Sequence, residues 1–192
     1  MTPWKSRLTK DLEPVLRARD PRPAICAYHD MPFAIFPYPP EDEFEVRKEV
    51  ALLRTRLGQG GKRVTTISLA ECLRQALEAE GLGNDQLTEA ERTSGLGLAI
   101  ETVFSILSTY QPLDRLVAAR VPPDAHPERD VVLLVRAGAL FPLYRTSALL
   151  EQLKGQVAVP TVLFYPGETD GPAGLRFMGV LDADHNYRPK IF

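Results

Sequence analysis

One uninterrupted apolar run, Val-Val-Leu-Leu-Val at 131–135, constrains the fold of this chain more than any other feature. A strand without polar alternation is typical of a parallel sheet, because helices cover both faces of such a sheet. A second apolar run lies at 160–165, and segments with helical periodicity separate the predicted strands. The alternation of strand and helix predicts an α/β fold, with a mainly parallel sheet and helices on both of its faces.

Local patterns predict further strands and helices around these two runs. Strands are predicted at 33–38 and 62–67, and helices at 4–19, 41–57, 94–110, 112–120 and 143–154. Pro14 is expected to kink or split the first helix, because proline lacks the N–H group that an interior helical residue donates. Gly58 is expected to end the helix at 41–57.

Capping patterns and the C-terminal sequence complete the predicted fold. Ser68 with Glu71, and Thr88 with Glu91, have the spacing of capping boxes and predict two more helix starts. The helix at 94–110 is apolar on most sides, which is typical of a central helix or of an interface. Segments 175–180 and 187–192 flank a polar turn, and they predict a C-terminal β-hairpin.

The length of 192 residues fits one domain, with an N-terminal helical segment at 1–24 and a core at 30–192. A net charge of −2 disfavours binding of nucleic acid through bulk charge, so no sequence-specific nucleic-acid binding is expected. Residues 1–24 carry six basic and three acidic side chains. A DNA contact through Arg17, Arg19 and Arg22 is therefore a hypothesis, although a solvated helix face explains the same pattern.

The two cysteines, Cys26 and Cys72, do not indicate a disulfide scaffold. The sequence contains neither a signal-peptide apolar stretch nor a run of about 18 apolar residues. These observations predict a cytoplasmic protein that does not contact a membrane.

Motifs for cofactors and catalysis are incomplete in this sequence. The string at 58–62 contains Gly-Gly-Lys but lacks P-loop spacing, and Gly95-Leu-Gly97 lacks a third glycine and a preceding strand. Cys26 and His29 have a spacing that metal ligands use, but the other cysteine and histidines are isolated in the sequence. We therefore expect no metal and no cofactor, and no catalytic residue is assigned.

The ends of the predicted strands give the one candidate site. Ligands of open parallel sheets bind beyond the carboxyl ends of the strands, where Tyr38, Ser68 and Arg136 would lie. We expect a partner surface or an anion pocket there, although an ion pair between Arg136 and Glu168 at a simple chain turn explains the same residues. The predicted partner- or anion-binding residues are Arg136, Gly138, Phe141, Tyr144, Arg145, Tyr165, Gly167 and Glu168.

Several segments, taken in order, resemble the BrxB family. They are Pro32-Phe-Ala-Ile-Phe-Pro-Tyr38 followed by a helix with Arg47, Lys62-Arg-Val-Thr-Thr-Ile-Ser-Leu69, Leu134-Val-Arg-Ala-Gly-Ala-Leu-Phe-Pro142 followed by Tyr144-Arg145, Val159-Pro-Thr-Val-Leu-Phe-Tyr-Pro-Gly167 with Leu175-Arg-Phe-Met178, and Asn186-Tyr-Arg188. The strand end Phe-Tyr-Pro-Gly and the Asn-Tyr-Arg tail are the most specific parts. Pro189 directly after the tail is expected to weaken a terminal strand, because proline donates no ladder hydrogen bond.

The resemblance implies a component of a BREX system, a multi-gene bacterial system that restricts bacteriophages. Its larger associates in such systems include PglZ, which has an alkaline-phosphatase-like domain, and BrxC, a large P-loop ATPase. The family supplies no catalytic residue that could be carried over to this sequence.

Two leading functional hypotheses follow. The first is a non-catalytic adaptor that binds PglZ, BrxC or both. The alternative is a nucleotide- or anion-binding enzyme, in which Arg136 and Arg145 hold phosphate and Glu168 or Asp170 acts as a base or a metal ligand.

Overall fold

The apolar run at 131–135 is an inner strand of a parallel sheet in the computed structural model of the chain. The structure describes residues 2–26, 31–171, 174–185 and 188–192. It confirms the predicted α/β class, with a mainly parallel sheet between helices. Among the described residues, no helix is both long enough and apolar enough to span a membrane.

Helices and strands alternate through most of the described chain. The helices are α1 (Pro3–Arg7), α2 (Glu13–Arg17), α3 (Arg22–Ile25), α4 (Glu43–Gln59), α5 (Leu69–Ala79), α6 (Asn84–Ser94), α7 (Leu96–Ser105), α8 (Leu113–Ala118) and α9 (Thr146–Leu153). The strands are β1 (Phe33–Tyr38), β2 (Arg63–Ser68), β3 (Asp130–Val135), β4 (Thr161–Asp170), β5 (Gly174–Phe177) and β6 (Lys190–Ile191). Turns of π-helix at Leu8–Leu12 and Ile106–Tyr110, and short 3₁₀ helices at Pro40–Asp42 and Ala137–Leu140, join some of them.

The sheet has the strand order β2-β3-β4-β1-β6, and β5 pairs with β4 outside this path. Strands β2, β3, β4, β1 and β6 run parallel to their neighbours. The chain passes from β1 to the far edge of the sheet at β2 through α4, and it returns one strand at a time through β3 to β4. The carboxyl ends of β1, β2, β3 and β4 therefore meet at one edge.

Two apolar cores lie on opposite faces of the sheet, because successive strand residues point in opposite directions. The first core joins the N-terminal helices and α4 to the sheet through Trp4, Leu12, Leu16, Phe36, Val50, Leu53, Leu133 and Phe164. The second joins α5, α7, α8 and α9 to the other face through Ile35, Ile67, Leu69, Val103, Leu107, Val117, Leu134, Leu149 and Leu163. Full burial of a large apolar side chain contributes roughly 1.5–3 kcal/mol, so both cores stabilise the sheet.

The N-terminal segment is helical and is interrupted before Pro14, as its sequence predicts. A π-helical turn at Leu8–Leu12 separates α1 from α2. Trp4 Nε1 donates to Asp42 Oδ2 at 2.7 Å, and Arg7 donates to the carbonyl oxygen of Pro37 at 2.8 Å. These bonds tie the segment to the start of α4 and to β1.

Helix boundaries agree with the sequence pattern at Ser68 and differ at other places, among them Gly58 and Thr88. The Glu71 N–H group donates to Ser68 Oγ at 3.3 Å and caps α5. Helix α4 continues through Gly58, because the chain reverses three residues later at Gly61, whose φ of +86° suits glycine. The helix start predicted at Thr88 is wrong: α6 begins at Asn84, where the Gly83 N–H group donates to Gln86 Oε1.

A C-terminal hairpin is present, but its strands are not the two that the sequence suggested. Strand β5 pairs antiparallel with the end of β4, whereas β6 pairs parallel with β1. Strand β6 has only two residues, directly after Pro189. The sequence pattern could not reveal this arrangement, because the C-terminal extension of β4 and the chain terminus compete for pairing with β5.

Candidate functional site

The carboxyl ends of four parallel strands bring distant sequence segments to one edge of the sheet. Tyr38 ends β1, Ser68 ends β2, and Arg136 directly follows β3. At this edge the chain leaves β1 toward α4 on the first core, but it leaves β3 toward α9 on the second core. Connections that depart to opposite faces open a crevice between them, and ligands of open α/β sheets bind in such a crevice.

A groove opens at this edge, extends along α4 beside β2 and β3, and is called the strand-end groove below. Its larger part, about 550 Å³, is lined by Arg47, Val50, Ala51, Arg54 and Thr55 of α4 and by Thr66, Val135 and Arg136 of the sheet. An adjoining cavity of about 300 Å³ is lined by Pro40, Glu43, Arg47, Arg136, Gly138, Ala139, Pro166 and Met178. Arg47 and Arg136 line both parts, so they stand where the two cavities meet.

Arg136 lies at the predicted rim with an unusual backbone. Its φ of 59° and ψ of 38° are left-handed, a conformation that costs a residue with a Cβ atom free energy. Its side chain is half-buried, and its Nε atom is buried without a hydrogen-bond partner among the described residues. An ion pair between Arg136 and Glu168, the alternative that the sequence left open, is not formed among the described residues. Glu168 is exposed and lies opposite Arg176 in the β4–β5 pairing.

Two arginines of α4 complete the positive lining of the groove. Arg47 forms an ion pair with Glu43 at 2.8 Å. Within the described parts of the chain, Arg54 has no ion pair and no side-chain hydrogen bond, whereas Arg56 on the same helix binds the buried Glu13 at 2.8 Å. Sequence reasoning did not assign Arg47 or Arg54 to the site. Their separation of seven residues, two helical turns, places them on one face of α4 and is the signal that could have found them.

The Glu43 carboxylate also accepts a hydrogen bond from the Tyr38 hydroxyl group. Burial raises the pKa of Tyr38 far above its usual range, and the bond to Glu43 adds to this shift. Tyr38 therefore stays protonated and holds Glu43 in place. Glu43, the one carboxylate among the described residues that line the strand-end groove, is thus shared between Tyr38 and Arg47.

The other predicted site residues divide among several environments. Gly138 lines the groove, but Tyr144 and Tyr165 are buried in the second core. The Tyr144 hydroxyl donates to Gln152 at 2.7 Å, and the half-buried Phe141 packs edge-on against Phe177. These side chains belong to the second core and do not line the strand-end groove.

Arg145 and Gly167 also lie apart from the groove. Arg145 is the residue before α9, not one turn inside it, and it lines a separate cavity of about 510 Å³ with Ser147, Glu151 and Asp184. Gly167 is buried, and a Cβ atom there would collide with the carbonyl oxygen of Arg176. Glu168 and Asp170 belong to strand β4, because β5 extends the pairing past the sheet edge.

The three arginines of the DNA-contact hypothesis form ion pairs. Arg17 binds Glu13 at 2.8 Å, and Arg22 binds Asp20 at 2.8 Å. Arg19 reaches Glu128 at 3.0 Å. These pairs favour the interpretation of this segment as a folded, solvated helix face over the DNA-contact hypothesis.

A second surface of interest lies on α7 and the π-helical turn that follows it. Four large apolar or aromatic side chains are exposed there and are called the α7 surface below. The exposed fraction is 60% for Leu96, 52% for Leu98, 49% for Phe104 and 65% for Tyr110. Val103, Ile106 and Leu107 of the same helical run are buried against the second core. The predicted apolar helix is therefore buried in the core on one side and exposed to solvent on another.

The cysteines do not contribute to either surface. Cys72 is buried in the second core, and burial raises the pKa of its thiol. His29 and Asp30, which with Cys26 formed the weak metal-ligand pattern, lie outside the described residues. Across the described ranges, no group of three or more His, Cys, Asp and Glu side chains is placed to hold a metal ion.

Comparisons with known proteins agree with the resemblance that the sequence segments predicted. The model of the family BrxB, described as BREX protein BrxB, matches residues 65–191. A curated protein of Bacillus cereus (strain H3081.97), described as BREX protein BrxB, is 27% identical over 164 residues, which cover 83% of this chain and 82% of that protein. No solved structure matches the chain.

Proposed function

This chain belongs to the BrxB family, and from that premise we propose that it is a non-catalytic adaptor of a BREX phage-defence complex. The proposed partners are PglZ, BrxC or both. The adaptor would hold its partner through the α7 surface. The single observation that carries this proposal is the group of large apolar side chains that α7 exposes to solvent.

The α7 surface has the composition of an interface centre. Aromatic residues are enriched at protein interfaces, and a few buried anchors supply most of the binding energy. Phe104 and Tyr110 are such anchors, and Phe104 rests on the ring of the buried Tyr144 with 5.8 Å between ring centroids. That support limits the movement of the Phe104 ring, so a partner would meet a preorganised side chain.

The position of α7 makes its exposed side chains accessible to a large partner. Helices α6 and α7 pack on each other as a helical arm, which is called the α6–α7 arm below. No α6 residue of described burial is fully buried, and the first half of α7 is also exposed. The arm is fixed to the second core mainly through Val103, Ile106 and Leu107.

An affinity pull-down of the tagged full chain from its native host, with mass spectrometry of the retained proteins, tests the proposal. We expect recovery of PglZ or BrxC with the unaltered chain. Leu98→Glu should abolish the recovery, because a carboxylate at an apolar interface is desolvated without a partner. The matched control is Leu52→Glu on α4, since Leu52 is equally exposed at 53%.

The proposal is wrong if neither PglZ nor BrxC is recovered. It is also wrong if Leu98→Glu and Leu52→Glu retain the same partners to the same extent. Loss of the partner on Arg136→Glu, with Leu98→Glu unaffected, would move the docking surface from α7 to the strand-end groove.

A further inference from the structure

The strand-end groove carries charges that the adaptor function does not use. We propose that this groove binds a nucleoside phosphate, with Arg47 and Arg136 at the phosphate and the apolar wall of α4 against the nucleoside. The inference does not rest on the adaptor function, because the groove and the α7 surface share no residue and face different cores.

The first support is an excess of positive charge without partners. Three arginines line the groove, and Glu43 is the one carboxylate among its described lining residues; the arginines are Arg47, Arg54 and Arg136. Among the described residues, Arg54 and Arg136 form no ion pair, although Arg56 two positions further along α4 is bound to Glu13. Guanidinium groups bind phosphate through paired N–H donors. An anion in the groove would therefore supply the negatively charged partner that these arginines lack among the described residues.

The second support is the state of Arg136 itself. Its Nε–H group is buried and has no acceptor among the described residues, and an unsatisfied buried donor destabilises the folded protein. Its left-handed backbone adds strain that a glycine at this position would avoid. Residues held in such strained conformations cluster at ligand sites, where the surrounding structure enforces them.

The third support is the size of the groove and the order of its lining. A volume of about 550 Å³ lies within the range of small-molecule sites. Arg47 and Arg54 are seven positions apart on α4, about 10 Å along the helix axis at the usual rise per residue. Val50 and Ala51 lie between them, with the hydroxyl groups of Thr55 and Thr66 on the walls. A phosphate at Arg47 and Arg136 thus leaves an apolar wall with hydroxyl groups for the base and sugar.

Isothermal titration calorimetry of the full chain tests the proposal with AMP, ADP, ATP, adenosine and inorganic phosphate as probes. The nucleotides should bind, and their affinity should fall as salt is raised, because charged contacts are screened. Adenosine and inorganic phosphate should each bind at least about tenfold more weakly than AMP, since each lacks one half of the contacts. Phosphate binding as tight as that of the nucleotides would overturn the nucleoside part, and no nucleotide binding would overturn the whole proposal.

Variants of the groove separate binding from folding. Arg136→Gln and Arg54→Gln should each weaken nucleotide binding by about tenfold or more, because each removes one charged contact. Arg115→Gln is the matched control, since Arg115 is exposed on α8 and also has no ion pair among the described residues. Equal affinity in Arg136→Gln and the unaltered chain would contradict the proposal.

Arg136→Gly provides a second check that does not depend on a loss of stability. Glycine accepts the left-handed backbone, so this variant should unfold at a Tm no lower than that of the unaltered chain while its nucleotide binding is lost. Retained binding in Arg136→Gly overturns the assignment. PglZ or BrxC capture by the same variants distinguishes this failure from a failure of the adaptor function.

Discussion

The strand-end groove and the α6–α7 arm are both open surfaces, but they are built in opposite ways. The groove lies between the sheet and α4, whose residues Val50, Leu53 and Leu57 are buried in the first core. The arm has an exposed α6 and an α7 that is buried only toward its end. The groove is lined by charged side chains above a buried apolar base, whereas the arm exposes apolar side chains on an element with few buried residues.

The two proposals assign a different kind of recognition to each surface. A small anion requires fixed donors, because binding energy is lost if the donors must first be ordered. A large protein partner covers apolar area, which exposed side chains such as those of α7 supply. The groove therefore suits a small charged ligand, and the arm suits a protein.

The largest expected effect is a difference in the free energy of unfolding between a substitution at the base of the groove and one on the arm. Leu53→Ala, in α4 directly beneath the groove wall, should lower the free energy of unfolding by about 2–5 kcal/mol, because Leu53 is fully buried. Leu98→Ala on the arm should change it by about 0.5 kcal/mol or less, since that side chain is exposed. Urea unfolding followed by circular dichroism measures both. Equal losses in the two variants would show that the arm is packed as firmly as the groove.

A smaller effect is expected from the arginine of α4 that is paired. Glu13 is only 5% exposed and accepts hydrogen bonds from Arg56 and Arg17. Arg56→Gln should destabilise the chain by about 2 kcal/mol, because it removes a partner of a buried carboxylate. Arg54→Gln, in the groove, should leave stability within about 0.5 kcal/mol. If Arg54→Gln destabilises as strongly as Arg56→Gln, Arg54 has a structural role that the contacts of α4 do not explain.

The pH dependence of stability gives the sign of the Glu13 contribution. Burial by itself raises the pKa of Glu13, but the bonds from Arg56 and Arg17 outweigh it, so the pKa is lowered overall. The stabilisation is then fully present above the unfolded pKa of about 4.3 and is lost as pH falls through the lower folded value. Acid titration of unfolding should show this loss in the unaltered chain and a flatter profile in Glu13→Gln. Parallel profiles would contradict the assignment.

The smallest expected effect has the opposite sign. Arg136→Gly should raise the free energy of unfolding by up to about 1 kcal/mol, because it relieves the left-handed strain and removes a buried, unsatisfied donor. Thermal unfolding of Arg136→Gly and Arg136→Gln separates the effect of backbone strain from that of the buried donor, since only glycine relieves the strain. A loss of stability in Arg136→Gly would show that the guanidinium group supports the fold.

Much of the fold was predictable because it depends on local periodicity. The apolar run at 131–135, the stripe of Trp4, Leu8, Leu12 and Leu16, and the capping residue Ser68 all lie where their sequence patterns indicate. The edge of the sheet that forms the candidate site was also predictable, because parallel strands necessarily end together. The exception at Thr88 arose where two capping patterns compete within a few residues, and the pattern at Gly83 is the one that forms.

The composition of the candidate site was predictable only in part. Arg136 and Gly138 line the groove as expected, but Tyr144 and Tyr165 are buried, and Arg145 lines another cavity. Arg47 and Arg54 enter the site from a helix that is distant in sequence. A residue near a strand end can point to the groove or to the core, and its own sequence neighbourhood does not distinguish these directions.

The sequence by itself determined strands β1 to β4, most of the helices, and a parallel sheet with two covered faces, but not the start of α6 or the strands of the C-terminal hairpin. The tertiary structure decided that β6 pairs with β1, that α4 forms a wall of the groove, and that part of α7 stays bare. The physical reason is the range of the interactions. Hydrophobic periodicity and capping act within a few residues, whereas strand neighbours and the exposure of a helix face depend on how distant segments share the two cores.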